Sequence, residues 1–393
     1  MRILTILRIF KQKLKQIISD IKYHLYRPLF YYCPVKKNRI ILNNFNGKGF
    51  GDSPKYIANE IIKQKLPFEL IWIVKNKKTY VPKGIKKVQV RSMKEAYMYA
   101  TASVIICNSK QRLPFKKKGG QYYIQTWHGA FPLKYIEQEA EALLSKRYIK
   151  HSKEDSAITD LMISGSGMET EVMRKSFWYT GEIFECGVPR DDIYFNQNKK
   201  SIEQLKLKYK LPLNVKIAVY APTFRDNGKT DAYNLNLENI LIALNQKTNE
   251  EWICIVRLHP NISYRDDLFT YNDKIINGSQ YADPQELFVI ADFLITDYSS
   301  VMMDFGIMQK PVALYFPDFE EYQKDRGLRP IFDILPFPYS YTNEELCMVI
   351  QKFDKNEYLK TLNSFIENYY KNYSDGHASE KIIKRIKRVT NYQ

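Results

Sequence analysis

The chain has 393 residues, a hydrophobic content of 45% and a charged content of 26%, which argue against a disordered protein and allow two ordinary domains. Its net charge of +17 indicates an anionic partner: nucleic acid, an anionic membrane or a polyanionic substrate. The five cysteines are scattered without a Cys-x-x-Cys pair, which argues against a zinc site or a disulfide framework and favours a reducing compartment.

Residues 1–33 are predicted to form a basic amphipathic helix. Residues 1–30 carry a charge of +6, and apolar residues recur at helical spacing: Ile3, Leu7, Phe10, Leu14, Ile17, Ile21 and Leu25. Such a helix suits an anionic bilayer surface, and a helix packed on its own domain is the alternative. Arg8 and Lys11 interrupt the apolar run and argue against a signal peptide, while no segment has the ~18 apolar residues that span a bilayer. The expected location is peripheral, at the cytoplasmic face of a membrane.

Residues 34–198 are predicted to form a first, N-terminal domain. Short apolar runs alternate with helical segments there, which predicts a doubly wound, mainly parallel sheet. Ser53-Pro54 provides an N-cap and a first-turn proline for a helix that ends near Lys65, and another helix is expected over 92–101. The expected strands lie at 39–43, 69–74, 103–107, 122–126 and 161–164.

A second domain is predicted over residues 199–393, after a lysine-rich stretch at 196–209. The same alternation of strands and helices recurs in it, and a final helix over 371–390 is expected to pack back across the joint between the domains. The expected strands lie at 216–221, 252–257, 293–296 and 311–316. The predicted fold class is therefore α/β, with two similar sheet domains that face each other across a cleft.

Polar residues follow four of the predicted strands at the point where each strand ends. They lie at 126–129 (Thr-Trp-His-Gly), 221–225 (Ala-Pro-Thr-Phe-Arg), 257–260 (Arg-Leu-His-Pro) and 296–300 (Thr-Asp-Tyr-Ser-Ser). In an open α/β sheet, ligands bind outside the carboxyl ends of the strands. One of these segments belongs to the first domain and three to the second, so the two histidines are expected to approach each other only across the cleft.

The two histidines at these strand ends are candidates for different tasks. His128 is the candidate general base, since the pKa of histidine lies near neutrality, and Gly129 allows a substrate to approach the backbone. A packed structural histidine beside Trp127 is the alternative. Arg257 and His259 are candidate phosphate ligands, because arginine offers a planar donor fork and histidine can bind or protonate the leaving phosphate. A rigid His-Pro turn is the alternative for His259.

Further candidates for anion binding are Ser299 and Ser300, which open a predicted helix whose N-terminus attracts negative charge. Simple helix capping by these serines is the alternative. Arg190 follows a tight turn at Gly187, and a surface salt bridge is its alternative role. The chain lacks an Asp-x-Asp pair, a Walker A sequence and a G-x-G-x-x-G motif. We therefore expect cationic groups and a helix dipole, without an obligatory metal, to neutralise a bound diphosphate.

Together these segments resemble a known family. They are, in chain order, His128-Gly129 with Pro132-Leu133-Lys134, 187–190 (Gly-Val-Pro-Arg), 221–225, 257–260, 294–304 and 375–380 (Asp-Gly-His-Ala-Ser-Glu). Over about residues 35–390 the chain resembles the CDP-glycerol glycerophosphotransferase family of teichoic acid synthesis. The resemblance implies a GT-B fold with two Rossmann-like domains, the donor nucleotide in the C-terminal half, and a lipid-linked acceptor at the membrane.

The resemblance also implies roles for individual residues. It makes His128 the base and places His259 at the diphosphate as the second catalytic residue. Gln280 and Gln285 are expected near the cytidine, and the role of Asp297 stays open. The residues expected to bind CDP-glycerol are Gly129, Lys134, Arg190, Pro222, Thr223, Arg225, Arg257, Gln280, Gln285, Asp297, Ser299 and Ser300.

The chain departs from the family pattern next to the proposed base. The commonest pattern is His-Gly-Thr-Pro-Leu-Lys, whereas Ala130-Phe131 stand here where one threonine is usual. The loop is therefore longer and more apolar, which leaves the polyol phosphate and the acceptor open.

The expected function is transfer of glycerol phosphate from CDP-glycerol to a hydroxyl group of a membrane-linked saccharide or teichoic acid acceptor, with release of CMP. No cofactor and no nucleic acid partner are expected. The alternatives are a CDP-ribitol-dependent transferase, a GT-B nucleotide-sugar glycosyltransferase, and a non-enzymatic basic protein that binds anionic membrane or nucleic acid.

Overall fold

The structure is a computed structural model that describes residues 21, 23–129, 131, 133–225 and 228–391. Most of the predicted amphipathic helix of residues 1–33 lies outside this range. Its last described part contains a 3-10 helix at Arg27–Tyr32. None of the helices in the described ranges has the length and apolar character needed to cross a bilayer.

The first domain is built on a seven-stranded parallel sheet. Its strands are β1 (Lys36–Asn43), β2 (Glu69–Val74), β3 (Ile85–Gln89), β4 (Ala102–Cys107), β5 (Tyr122–Gln125), β6 (Leu161–Ser164) and β7 (Glu182–Glu185). Their spatial order is β3-β2-β1-β4-β5-β6-β7. Ile40 of β1 pairs with Leu70 on one side and Val104 on the other, and all three are buried. Buried apolar residues at neighbouring positions of adjacent strands are typical of a parallel sheet that is covered on both faces.

The second domain has a six-stranded parallel sheet. Its strands are β8 (Lys216–Ala221), β9 (Trp252–Val256), β10 (Ile275–Asn277), β11 (Phe293–Thr296), β12 (Val312–Tyr315) and β13 (Tyr339–Ser340). Their spatial order is β10-β9-β8-β11-β12-β13. The strand order reverses between β1 and β4 in the first sheet and between β8 and β11 in the second. The chain connections on the two sides of each reversal run in opposite directions and leave a crevice at the carboxyl ends of these strands.

Helices cover both faces of the two sheets. Residues 21 and 23–26 are helical. Beyond them, the α-helices in the described part of the chain are α1 (Asp52–Lys63), α2 (Met93–Thr101), α3 (Lys146–Ile158), α4 (Gly167–Ser176), α5 (Asp192–Phe195), α6 (Lys199–Lys208), α7 (Leu237–Thr248), α8 (Pro284–Ile290), α9 (Val301–Ile307), α10 (Phe319–Arg326), α11 (Asn343–Lys352), α12 (Lys355–Phe365) and α13 (Ala378–Thr390). Short 3-10 segments lie at Glu137–Leu143, Pro189–Asp191, Asp231–Tyr233, Asp266–Leu268 and Pro330–Ile334, and a π-helix at Ile366–Tyr370.

All nine strands predicted from the sequence are present, and each is shifted by at most three residues. The prediction that the final helix starts at residue 371 is wrong, because α13 begins only at Ala378. Lys371 has a left-handed φ of 55° and Gly376 a φ of 85°, and both break the helical geometry. Helix α13 packs on the first sheet, where Ile382, Ile383 and Ile386 are buried in the same core as β1 and α1.

Candidate active site in the cleft between the domains

His128 follows β5 and is fixed by one hydrogen bond. Its Nδ1 lies 2.6 Å from the carbonyl oxygen of Asn108, at the end of the neighbouring strand β4. A carbonyl oxygen only accepts, so Nδ1 carries the proton and the neutral ring keeps its lone pair on Nε2. Burial lowers the pKa of His128 below 6.5, and the charges of Arg190 and Lys110 also lower it. At neutral pH the ring is therefore an unprotonated base that presents Nε2.

Two neighbouring aromatic rings restrict the orientation of His128. The ring of Trp127 lies 4.2 Å away and that of Phe45 5.1 Å away, measured between centroids. Trp127 has a left-handed φ of 52°, a conformation that costs a bulky residue about 1–3 kcal/mol. Such strain is typical of functional sites, where the surrounding structure holds one side chain in place.

His259 follows β9 in the second domain and has the opposite tautomer. Its Nδ1 accepts a hydrogen bond from the backbone N–H of Asn261 at 3.2 Å, so the neutral ring carries its proton on Nε2. The ring stacks on Phe224 with the centroids 5.7 Å apart. Partial desolvation of this ring, together with nearby positive charges, lowers the pKa of His259 to about 4. His259 is thus a neutral hydrogen-bond donor at Nε2 rather than a proton donor at neutral pH.

The positive charges at His259 come from both domains. Lys134 and Lys48 belong to the first domain and Arg257 to the second, and all three lower the pKa of His259. Arg257 is held in place because its Nη1 donates to the carbonyl oxygens of Gly278 at 2.9 Å and Tyr281 at 2.8 Å. These charges form a cationic region that spans the cleft.

Asp297 ties together the ends of β8 and β11. Its Oδ1 accepts hydrogen bonds from the backbone N–H of Thr223 at 2.8 Å and from the Thr223 hydroxyl, and its Oδ2 pairs with Arg225 at 2.9 Å. Arg225 also pairs with Asp318 at 2.6 Å. The role of Asp297, which the sequence left open, includes a structural part: its carboxylate holds Thr223 and Arg225 at the strand ends. In the same arrangement Arg225 is buried and shared between two carboxylates.

Arg190 lies at the junction of the two domains and is only 4% exposed. Its Nη1 donates to the carbonyl oxygen of His128 at 2.9 Å and pairs with Asp52 at 3.3 Å, while its Nη2 lies 3.9 Å from Asp304 in α9. Burial alone would lower the pKa of Arg190. The negative charges of Asp52, Asp304 and Asp191 have the larger effect, so that the pKa of Arg190 is raised. The surface salt bridge weighed from the sequence is therefore wrong. Arg190 links the His128 loop to the helix of the second domain.

Ser299 and Ser300 lie where β11 leads into α9, as predicted. The hydroxyl of Ser300 makes no capping hydrogen bond to α9 among the described residues. The hydroxyl oxygen of Ser299 lies 3.5 Å from the backbone nitrogen of Val301, which is too long for a strong hydrogen bond. Both serines are half-buried. Helix capping thus does not account for the two hydroxyls, and their predicted contact with the donor stays a prediction.

The remaining predicted residues lie at different depths. Gly129 is half-buried and Pro222 is buried. The backbone of Lys134 pairs with that of Leu328 in the second domain as a single antiparallel β-bridge. Gln280 is exposed, whereas Gln285 is 3% exposed and its Oε1 has no hydrogen-bond partner among the described residues. The two glutamines that were expected at the cytidine therefore differ in their access to solvent, and their contact with the cytidine stays a prediction.

Sequence reasoning missed Lys48 and Asn108. Both follow strands of the first sheet, Lys48 after β1 and Asn108 after β4, so the strand-end rule applied to the other four segments would have found them. The described residues contain no group of three or more His, Cys, Asp or Glu side chains placed to hold a metal ion. Metal-independent neutralisation of a diphosphate stays a prediction that rests on the cations named above.

The chain matches a known protein family and several known relatives. The family described as CDP-glycerol:poly(glycerophosphate) glycerophosphotransferase matches residues 25–388. A teichoic acid poly(glycerol phosphate) polymerase of Staphylococcus epidermidis is 32% identical over 88% of this chain and 50% of its own length. One of Bacillus spizizenii is 30% identical over 90% of this chain and 93% of its own. The chain spans about half the length of the first of these relatives and of a Bacillus subtilis polymerase.

The fold has a close match among solved structures. A structure of the wall teichoic acid polymerase TagF, soaked with CDPG, superposes with a TM-score of 0.84 at 29% identity, over 98% of both chains. The match confirms the predicted two-domain, GT-B-like α/β fold. The chain belongs to the CDP-glycerol:poly(glycerophosphate) glycerophosphotransferase family.

Proposed function

We propose that this protein transfers glycerol phosphate from CDP-glycerol to a hydroxyl group of a membrane-linked saccharide or teichoic acid acceptor and releases CMP. The observation that carries the proposal is the pair of complementary histidines. His128 keeps a lone pair on Nε2, which accepts a proton, while His259 keeps a proton on Nε2, which donates to a phosphate oxygen. Membership of the family and the likeness to TagF support the choice of donor.

In the proposed reaction, Nε2 of His128 removes the proton from the acceptor hydroxyl. The acceptor oxygen then forms a bond to the β-phosphorus of CDP-glycerol, and the bond from that phosphorus to the bridging oxygen breaks. The electron pair stays on the bridging oxygen, which leaves as part of CMP. Arg257, the Nε2–H of His259 and the N-terminal end of α9 stabilise the charge that develops there.

A donor panel tests this proposal. We expect purified protein to release CMP from CDP-glycerol in the presence of a lipid-linked disaccharide, with a mass increase of one glycerol phosphate in the acceptor. CDP-ribitol belongs in the panel because a teichoic acid poly(ribitol-phosphate) polymerase is 24% identical over 93% of this chain. UDP-sugars serve as the third arm. Transfer of a sugar, or turnover of CDP-ribitol alone, would contradict the choice of donor.

The pH dependence tests the role of His128 separately. Burial lowers the pKa of His128 below 6.5, so His128 is unprotonated at neutral pH. The enzyme is expected to lose activity only when the pH falls through this lowered pKa and the base becomes protonated. We expect kcat/KM to be flat near neutrality, with an acidic limb whose midpoint lies below 6.5. A midpoint well above 7, measured over pH 4.5–8.5 in buffers of constant ionic strength, would argue against His128 as the base.

We further propose that the protein works as a peripheral protein at the cytoplasmic face of a bacterial membrane. The basic, amphipathic sequence of residues 1–30 supports this location. Deletion of residues 1–30 is expected to reduce cosedimentation with vesicles that contain phosphatidylglycerol, and neutral vesicles serve as the control. Binding to anionic vesicles that the deletion leaves unchanged would contradict the proposal.

A further inference from the structure

The loop that follows β1, residues 44–51, has an unusual backbone. We name it the β1 loop; its sequence is Asn-Phe-Asn-Gly-Lys-Gly-Phe-Gly. Phe45, Asn46 and Gly47 have consecutive positive φ values of 41°, 56° and 88°. A β-carbon at Gly47 would lie 2.8 Å from the backbone nitrogen of Lys75, so this position accepts only glycine. Left-handed geometry at two non-glycine residues is costly, and it persists only where the surroundings hold it.

Two asparagines hold the β1 loop in this conformation. The carbonyl oxygen of Asn44 accepts from the N–H groups of Gly47 and Lys48, both at 2.9 Å, and Nδ2 of Asn44 donates to the carbonyl oxygen of Lys48 at 2.7 Å. Nδ2 of Asn108 donates to Oδ1 of Asn44 at 2.9 Å, and the N–H of Phe45 donates to Oδ1 of Asn108 at 2.8 Å. The backbone of Lys48 is therefore fixed, while its side chain is exposed.

Asn108 connects this loop to the proposed base. Its carbonyl oxygen accepts the proton on Nδ1 of His128, and its side-chain amide binds the β1 loop. Asn108 is fully buried, so the groups that it contributes to its hydrogen bonds are shielded from water. The position of Lys48 is thus set by the same residue that sets the tautomer of His128.

The end of the β1 loop reaches the second domain beside Arg257. A β-carbon at Gly51 would lie 3.7 Å from the carbonyl oxygen of Ala282, next to Tyr281, whose carbonyl oxygen binds Arg257. Helix α1, which follows the loop directly, is fastened to the same segment by ion pairs and hydrogen bonds of Lys55 and Tyr56 with Asp283. The loop therefore brings Lys48 to the side of the cleft where Arg257 and His259 lie.

We propose that Lys48 binds a phosphate group of the donor diphosphate from the first domain, opposite Arg257 and His259 of the second. This inference rests on the proposed function for the identity of the donor, but not for the anion site itself. Lys48, Lys134 and Arg257 all lie close enough to His259 to disfavour a positive charge on its ring, so cations from both domains converge on one place. A diphosphate between the domains would bind these cations from both sides of the cleft.

Equilibrium binding measures this role without turnover. With the full-length protein, Lys48→Met is expected to bind pyrophosphate and CDP about 10- to 100-fold more weakly, since a charge-assisted contact is lost, and Lys48→Arg is expected to keep most of the affinity. Lys83→Met is the matched control, because Lys83 is exposed and precedes β3, at the opposite end of the same sheet. Pyrophosphate affinity of Lys48→Met within twofold of the wild type, or no pyrophosphate binding by the wild type, would overturn the proposal.

A second measurement reports the position of Lys48 in the free protein. Removing its charge is expected to raise the pKa of His259 from about 4, followed by NMR of the histidine ring, whereas Lys83→Met leaves it unchanged. An unchanged pKa of His259 in Lys48→Met would place Lys48 outside the site. A protein that binds pyrophosphate through Lys48 but does not turn over CDP-glycerol would refute the proposed function and leave this inference standing.

Discussion

Replacing His128 with alanine is expected to abolish CMP release while CDP-glycerol still binds with nearly normal affinity. His128 belongs to the first domain, whereas most of the residues expected to bind the donor belong to the second, so the substitution removes the base and spares the donor site. Loss of a general base alone reduces rates by about 10²- to 10⁴-fold. Single-turnover CMP release and calorimetric titration with CDP-glycerol measure the two effects separately.

His377→Ala is the matched control for this experiment. The side chain of His377 is 56% exposed and lies just before α13, where it pairs with Glu380. Its removal is expected to leave CMP release unchanged. CMP release by His128→Ala at a rate close to that of the wild type would remove His128 from the role of base, whatever the affinity for the donor.

The second large effect is expected on stability, from Arg190→Met. Methionine keeps much of the volume but leaves Asp52, Asp191 and Asp304 buried without their counter-charge. Breaking a buried ion pair from one side costs about 3–5 kcal/mol. We expect a loss of this size in the free energy of unfolding, measured by urea denaturation at pH 7.5 through tryptophan fluorescence.

The loss in Arg190→Met is also expected to depend on pH. Burial raises the pKa of Asp304 to about 6, and without Arg190 it rises further. A carboxyl group whose pKa is higher in the folded than in the unfolded state costs stability as the pH rises above the unfolded value. The difference between variant and wild type should therefore be smaller at pH 5.5 than at pH 7.5. A loss that does not change with pH would indicate a packing defect instead.

Arg385→Met provides the control for the Arg190 experiment. Arg385 pairs with Glu182 through two hydrogen bonds of 2.7 and 2.6 Å, but Glu182 is half exposed. Pairs that water reaches contribute about 0–1 kcal/mol. A loss in Arg385→Met as large as that in Arg190→Met would show that burial is not what distinguishes the two arginines.

The sequence predicted the interior strands of both sheets but missed every edge strand in the described part of the chain. The missed strands are β3, β7, β10 and β13, and each has a neighbour on one side only. An interior strand such as β9, Trp-Ile-Cys-Ile-Val, is a continuous apolar run because helices cover both faces of the sheet. Edge strands such as β3, Ile-Lys-Lys-Val-Gln, carry exposed lysines that discourage pairing with other chains, so they lack that pattern.

The candidate site was predictable wherever a residue type implied both the chemistry and the place. His128 and His259 fit that description, since each directly follows an apolar strand. Arg190 did not, because nothing in a Gly-Val-Pro-Arg turn indicates the buried carboxylates of Asp52 and Asp304, which come from distant segments. The tautomers of the histidines were equally out of reach, since they depend on the backbone groups of Asn108 and Asn261.

The packing of α13 on the first sheet bears on how the protein is made. Ile382, Ile383 and Ile386 complete the core around β1 and α1, although more than 300 residues separate them along the chain. Domains generally fold as units while the ribosome is still at work, the N-terminal one first. Here the first domain is completed only by a helix that follows the second domain in the chain, so its core stays incomplete until residues 378–390 have been synthesised. A nascent chain that stalls before residue 378 would expose this apolar surface to chaperones and proteases.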